Sequence, residues 1–536
     1  MIVGGDVMVK TQLPVTIDGL LMEAAAEYGA STAFTDGVHT LSFNQVEQLS
    51  KRVAKHFWKM GMRKGDVIAV QLPNSMEFVL AHLAAAQIGL VFNPLSPNYR
   101  RQELTYMLGH CETKAIIVQG STSKFNFEAL AYEVKEKLPH LSHVITAGGA
   151  EHTESILFST FLEDDPEGVA DKDLFEEKPG LDDPSLIMFT SGTESNPKAV
   201  LHTSRTFVAT HLRNGYEYQV SEQDTILSLT PLCHMFSLPM IMIGLHQGAK
   251  HYLYGEYRVE ELIDIFRHEL VTFLIAAPAH LLDVLHYIKA AGAAADGVKL
   301  RLVLTGGTKI PSQMVKDLRD VLHCNVGAQW GMTEVCAGSF TRPEDDPSKA
   351  WESIGRVCPT GEVIIVDEEN NVLPHNEIGE IAFKGDSLFV EYYRNPDATR
   401  MAFNENGYFL TGDQGYLDEG GYIYFSGRSK DTINRGGLKF HASEIEEALL
   451  MNPKVRQAAV VSVPDPRLGE RACAYISLRD GEEWSFEEVK SFLLEQGFAK
   501  YKIPEYVEMR KELPATPSGK IVKGPLRTEA QLLGKE

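Results

Sequence analysis

Thr190-Ser191-Gly192-Thr193-Glu194-Ser195-Asn196-Pro197-Lys198-Ala199-Val200 is the stretch on which the reading of this chain turns. It follows residues 185–189, an apolar run that predicts a buried strand, and a helix is expected after it. Small hydroxyl side chains and one glycine leave N–H and O–H groups free to surround phosphate oxygens, and Lys198 adds a point charge for an anion. A P-loop NTPase needs Gly immediately before its lysine and Ser or Thr immediately after it. Pro197 and Ala199 occupy those places, which excludes that loop. A surface turn has the same composition, so the stretch alone leaves both readings open.

The rest of the chain narrows the choice. At 536 residues it is too long for one core, so two or more domains are expected. Hydrophobic residues at 44% and charged residues at 23% are normal for a soluble globular protein. A net charge of −22 argues against a general nucleic-acid binder but is compatible with a local basic funnel for a nucleotide. The six cysteines, Cys111, Cys233, Cys324, Cys336, Cys358 and Cys473, form no C-x-x-C pair and no metal spacing with histidine. They read as buried reduced thiols, suited to a reducing cytosol. Residues 1–10 contain Asp6 and lack a long apolar core, and no run reaches the ~18 apolar residues of a membrane span. The expected location is the cytoplasm.

Taken in order, residues 16–60 predict an opening helix, a hairpin around Asp36-Gly37 and an amphipathic helix over 43–60. A strand over 67–72 follows, then Pro73-Asn74-Ser75 capping a helix over 76–89, a strand at 91–93, a helix after Tyr99 and a strand over 115–118. This alternation predicts an α/β fold with a parallel sheet covered on both faces. Arg100 and Arg101 read as a solvated helix start. A strand over 224–231 ends in Pro231-Leu232-Cys233-His234-Met235-Phe236, which puts His234 at a strand end, where open α/β sheets place ligands. Further on, Thr305-Gly306-Gly307 offers two glycines against which a flat ring can lie. Gln329-Trp330-Gly331-Met332-Thr333-Glu334 gathers an aromatic ring, a glycine, a hydroxyl and a carboxylate, a set suited to adenine, phosphate and Mg²⁺ together.

From Gly355 the texture turns to short β-segments at 361–367, 379–385 and 422–426. Asp413, after the tight Thr411-Gly412 turn, can accept two ribose hydroxyls. Beyond Gly427-Arg428-Ser429-Lys430-Asp431, residues 433–439 precede Ser443-x-x-Glu446, read as a capping box that starts a helix. A second box, Ser485-x-x-Glu488, and strands over 457–463 and 472–478 complete a compact α+β unit. Its Pro/Gly loop, residues 514–520, presents Lys520.

In this order and at these separations the motifs resemble those of the adenylate-forming acyl-CoA synthetases, from near Ser42 to Arg527. The resemblance implies a large N-terminal region, residues 1–429, of two α/β subdomains plus a β-rich one, and a small mobile α+β C-terminal domain, residues 430–536. It implies activation of a carboxylic acid by ATP and Mg²⁺ to an acyl adenylate, then transfer to CoA. By that resemblance Thr190, Ser191, Gly192, Thr193, Glu194 and Lys198 surround the ATP phosphates, with Thr193 contributing to catalysis. Gly306, Gly307, Gln329, Trp330, Gly331 and Met332 frame the nucleotide, Thr333 meets the α-phosphate and Glu334 binds the metal. Asp413 and Arg428 hold the ribose. His234 approaches the substrate carboxylate, and Met235 and Phe236 line the acyl pocket. Lys520 bridges carboxylate and α-phosphate, Lys430 is the hinge, and Gly436, Gly437 and Lys439 serve the CoA step.

Glu194, Ser195 and Ala199 depart from the family's loop, where Thr, Gly and Gly are usual. Losing two glycines stiffens the loop, and Glu194 either orients a metal or repels pyrophosphate. The apolar Met235, Phe236 and Leu238 favour an alkyl, alicyclic or unsubstituted aromatic acid, nearest to a cyclohexanecarboxylate or medium-chain ligase. The alternatives are an aryl-acid adenylating ligase that loads a carrier protein, a luciferase-type oxygenase and a non-catalytic nucleotide-binding regulator. A homodimer is compatible with the resemblance.

Overall fold

The structure is a computed structural model that describes residues 15–174, 178–190, 197–291, 296–308, 310–436, 438–515 and 521–533. Among the described residues the strands form four sheets, of nine, eight, five and four strands. The eight-stranded sheet is centred on Val67–Gln71, with Val91–Pro94 and Ala115–Val118 parallel on either side of it. All three are buried along their whole length and mostly apolar, with Gln71 and Asn93 as buried polar exceptions, as a helix-covered parallel sheet requires. The nine-stranded sheet has a parallel middle of Thr225–Ser228, Phe273–Ala276, Leu302–Gly306 and Asn325–Met332, with antiparallel strands at both ends. Gly361–Val366, Gly379–Gly385, Phe409–Leu417 and Ile423–Arg428 form the four-stranded antiparallel sheet. The five-stranded sheet contains only strands from Thr432 onward.

Caps set several helix starts. Ser42 and Gln45 make a reciprocal box at the head of Phe43–Lys59, and Ser75 accepts from Phe78 N–H at the head of Met76–Gln87. Arg100 lies over the Phe125 ring and Arg101 pairs with Glu133, so both stay at a paired, solvated helix start. The six cysteines are buried free thiols. Among the described residues no helix is long and apolar enough to cross a membrane.

Three local expectations change. The segment after the phosphate loop is a strand, Ala199–Thr203, antiparallel to Pro184–Phe189, and the helix Ser204–Glu217 begins only after it. Ala199, Val200 and Leu201 lie between two strands, paired also with Glu391–Tyr392, so tertiary pairing sets their conformation. Residues 433–439 do not simply lead into a helix: Thr432–Arg435 and Leu438–His441 pair as a hairpin. The next helix, Ala442–Leu450, is capped by His441, whose N–H donates to Glu444 at 3.0 Å. Ser443 Oγ instead donates to the Ser426 carbonyl at 3.1 Å, and Glu446 accepts the Val460 N–H at 2.6 Å. The second box, at Ser485 and Glu488, forms as expected.

Candidate active site

The strand ends of the two large sheets and the rim of the four-stranded sheet converge on the candidate residues. At the mouth of the phosphate loop the Thr190 N–H donates to the Lys198 carbonyl at 2.9 Å, and the Lys198 N–H donates to Thr190 Oγ1 at 3.2 Å. The loop therefore connects two antiparallel strands, closed where Phe189 faces Ala199. Residues 191–196, which include Ser191, Gly192, Thr193 and Glu194, lie outside the described residues. Lys198 Nζ sits 4.4 Å from the centre of the Tyr392 ring. A cavity of about 290 Å³ opens beside this pair, bounded by Tyr106, His110, Pro197, Lys198, Tyr392 and Asn395.

Tyr392 also reaches the candidate metal ligand. Its hydroxyl donates to Glu334 Oε1 at 2.8 Å. Burial raises the Glu334 carboxyl above the usual carboxylate range, opposed by the Tyr392 hydrogen bond and by the charges of Lys198 and Arg428. The neighbouring Thr333 is fixed through its carbonyl, which accepts from His202 Nε2 at 2.8 Å. His202 is fully buried, and desolvation pushes it down to about 4, so it is neutral at physiological pH.

The candidate nucleotide motif around Trp330 runs along the strand Asn325–Met332 into a tight turn and back along Cys336–Phe340. A Cβ on Gly331 would lie 2.0 Å from the Cys336 carbonyl oxygen, so this turn admits only glycine there. Trp330 is 7% exposed and lies against Gly338. Its indole N–H donates to Asp413 Oδ2 at 2.8 Å. Asp413 is itself 4% exposed, with Arg428 Nε 3.2 Å from its other oxygen, Oδ1. That oxygen accepts no hydrogen bond among the described residues. Such an orphaned acceptor fits a hydroxyl donor from a ligand. Gln329 is held by the Tyr218 hydroxyl at 2.8 Å. Gly306 is a packing glycine, since its Cβ would lie 2.2 Å from the Gln329 carbonyl, whereas Gly307 is open, at φ +83°. Met332 is half-buried.

His234 follows the strand Thr225–Ser228 in a turn closed by its own N–H on the Pro231 carbonyl at 3.1 Å. Its Nε2 is buried without a hydrogen-bond partner among the described residues, and desolvation brings the ring down to about 4. Met235 and Phe236 part company. Met235 is buried in the cluster that holds Leu232, Cys233 and Leu238, while Phe236 packs with Trp330, Met332 and Val335.

Lys430 lies in a single helical turn, Ser429–Asp431. Asp431 pairs with Arg527, and Lys523 Nζ lies 3.5 Å from it on the same helix, Lys523–Leu533. Gly436 adopts φ +62° and donates its N–H to the Leu468 carbonyl at 2.7 Å. Gly437 and Lys520 lie outside the described residues, and of Lys439 only the backbone, in Leu438–His441, is described. Among the described residues no group of three or more His, Cys, Asp or Glu side chains could cage a metal. Glu334 alone fits Mg²⁺ in the usual way, through one or two carboxylates shared with substrate phosphates.

Sequence reasoning missed Tyr392, His202 and Tyr106. Each is a lone polar residue in an ordinary segment, and only the fold brings it to the motif it supports.

Sequence profiles of two families match the chain: the AMP-binding enzyme over residues 21–393 and the AMP-binding enzyme C-terminal domain over 444–520. A salicylyl-CoA synthase/salicylate adenylyltransferase of Streptomyces sp is 31% identical, covering 95% of this chain and 92% of its own length. A medium-chain fatty-acid–CoA ligase of Escherichia coli (strain K12) is 30% identical, covering 91% of this chain and 85% of its own. The solved structure of an o-succinylbenzoate CoA synthetase from Bacillus subtilis, in complex with its acyl-adenylate intermediate, superposes with a TM-score of 0.82 at 25% identity. That match covers 95% of this chain and 97% of the other. From its matched length and its relatives alike, this chain belongs to the AMP-binding enzyme family, the adenylate-forming ligases.

Proposed function

We propose that the chain joins a carboxylic acid to CoA at the expense of ATP, releasing AMP and pyrophosphate. The observation that carries this reading is the pairing of two buried carboxylates with different duties. Glu334 is tied to Tyr392 and close to Lys198, and Asp413 is tied to Trp330, with its other oxygen beside Arg428 and accepting no hydrogen bond among the described residues.

A carboxylate is a poor electrophile, so one of its oxygens first attacks the α-phosphorus of ATP, and the bond to pyrophosphate breaks. Thr190 and Lys198 sit at the β/γ-phosphate end, Thr333 at the α-phosphate, and Asp413 with Arg428 at the ribose. Glu334 would hold Mg²⁺, which when bound offsets phosphate charge. Neutral His234 meets the acid through Nε2, adding no second charge to a buried anion site. Lys520 stabilises the charge that develops between carboxylate and α-phosphate. In the second half-reaction the CoA thiol, losing its proton, attacks the acyl carbon, and AMP leaves.

The division into residues 1–429 and 430–536, with Lys430 as hinge, fits a last sheet built only from strands beyond it. Gly436, Gly437 and Lys439 would then serve the CoA step. The acid carries an apolar body, because Leu232, Cys233, Met235, Phe236 and Leu238 surround His234 in sequence. Medium-chain, alicyclic and unsubstituted aromatic acids are the first to assay. The experiment is a coupled assay for AMP with and without CoA over a panel of acids. AMP and pyrophosphate that require Mg²⁺, with thioester formed only when CoA is present, are expected. ADP and phosphate would refute the reaction, and adenylate without thioester would redirect it to carrier-protein loading.

A further inference from the structure

We infer that Asn74 is a positioning residue for the acid-binding histidine, holding the turn that carries His234 from across the boundary between the two large sheets. The inference rests on the proposed placing of His234 at the substrate carboxylate. In sequence, Asn74 reads as part of a helix cap. The cap of Met76–Gln87 is Ser75, however, which leaves the Asn74 side chain for another use. That side chain is 8% exposed and makes three hydrogen bonds to one distant turn. Its amide nitrogen donates to the carbonyls of Ser228 and Thr230, at 3.3 Å each. Its oxygen accepts the Leu232 N–H at 2.7 Å. One planar group thus fixes the main chain on both sides of Pro231, and the Pro231 carbonyl in turn accepts the His234 N–H.

A second clasp lies on the same turn. The hydroxyls of Thr230 and Ser237 pair, and Ser237 Oγ also donates to the Thr230 carbonyl at 3.1 Å. That carbonyl therefore accepts from Asn74 and Ser237 together, one side chain from the neighbouring sheet and one from the far end of the turn. Asn74 follows the strand Val67–Gln71 of the eight-stranded sheet, whereas the turn follows Thr225–Ser228 of the nine-stranded one. His234 has no hydrogen bond at its own Nε2 among the described residues, so the aim of that atom depends on the backbone beneath it. The main-chain groups held by Asn74 are buried and have strong reason to stay paired.

The test is a double-mutant cycle read by acid-dependent ATP–pyrophosphate exchange. Asn74→Ala should raise the KM for the acid about tenfold and leave the KM for ATP within about twofold, because misplacing one reacting group weakens only the contact it makes. His234→Ala should raise the same constant, and the double variant should be no more than about twofold worse than His234→Ala alone, since coupled residues are not additive. Ser237→Ala, a smaller perturbation, should shift the acid KM in the same direction and repeats the cycle if Asn74→Ala does not fold. Fully additive losses, or equal rises in the KM for acid and for ATP, would overturn the role of Asn74 while leaving His234 in place. An unchanged acid KM in His234→Ala would overturn both.

Discussion

The Trp330 indole N–H and Asp413 Oδ2 are 2.8 Å apart, between strands of different sheets and both out of solvent. The aromatic member of the nucleotide motif is therefore also the donor that orients the proposed ribose carboxylate. Trp330→Phe keeps a ring but removes that donor. A buried charge-assisted bond contributes about 1.5–3 kcal/mol, so the KM for ATP should rise by roughly tenfold or more. The KM for the acid should move little. Steady-state titration of ATP in the exchange assay checks this, and an unchanged ATP KM refutes it.

Tyr392 should govern the acid side of the pH profile. Burial raises the Glu334 carboxyl, and the Tyr392 hydroxyl is the largest influence opposing that rise. Glu334 must be ionised to bind metal, so activity should fall as pH drops through its raised pKa. Tyr392→Phe removes the opposing bond and should move this acid limb to higher pH, with a greater Mg²⁺ requirement. Rate profiles at several Mg²⁺ concentrations decide it; a limb that stays put means Glu334 is not the titrating group.

His82 should make the protein sensitive to mild acid. Its ring stacks 4.4 Å from Phe92, is fully buried, and has no hydrogen-bond partner at either nitrogen among the described residues. Desolvation pushes it down to about 3. The unfolded chain takes up this proton near pH 6.5 and the folded one does not, so stability is lost as pH falls from about 6.5 toward 3. The slope for one such group approaches ~1.4 kcal/mol per pH unit. Urea unfolding of His82→Phe between pH 7 and 5 should show a mean slope shallower by about 1 kcal/mol per pH unit, whatever its packing cost. An identical slope would mean that His82 is not held neutral.

Gly306 and Gly307 should answer differently to alanine. At Gly306 the new Cβ would meet the Gln329 carbonyl, part of the adjacent strand, and overpacking of that kind costs about 1–3 kcal/mol. At Gly307 space is open and the cost is the left-handed backbone alone, about 1–2 kcal/mol. Thermal unfolding measures both. The distinguishing result is catalytic: Gly307→Ala should impair ATP use out of proportion to its stability loss if a nucleotide ring lies there.

Lys520 should separate the half-reactions. Removing a donor that acts only in the adenylating transition state costs on the order of 10²–10³ in rate. Lys520→Ala should lose most acid-dependent pyrophosphate formation yet still convert a supplied acyl adenylate to thioester. Changes at Lys430 or Gly437 should show the opposite bias. Rapid-quench measurement of each step tests this, and equal loss of both steps in Lys520→Ala counts against alternation of the C-terminal domain.

What the sequence disclosed follows from how local each signal is. The strands over 67–71, 115–118 and 273–276 and the box at Ser485 were legible because apolar runs and caps are written in consecutive residues. The same is true of the motif around Trp330. The partners of that motif were not. Tyr392 lies 58 residues from Glu334 and His202 lies 131 from Thr333, and no periodicity links them. Ala199–Thr203 was hidden for a related reason, because a short apolar run suits helix or strand equally until its neighbours are known. Asn74 carried a capping signal one residue from the true cap, and its reach to Leu232 spans 158 residues.

The two hydrogen bonds between Thr190 and Lys198, one main chain to main chain and one to the threonine hydroxyl, have a consequence for how this loop can change over generations. A lock made of a peptide N–H, a peptide carbonyl and one threonine hydroxyl does not read the identity of the residues it encloses. The strands on either side keep their register through their own ladder. The ladder that sets the register of these strands thus lies outside the stretch that holds Glu194 and Ser195. Evolution, or a randomised library, can redraw the enclosed residues without first having to rescue the scaffold.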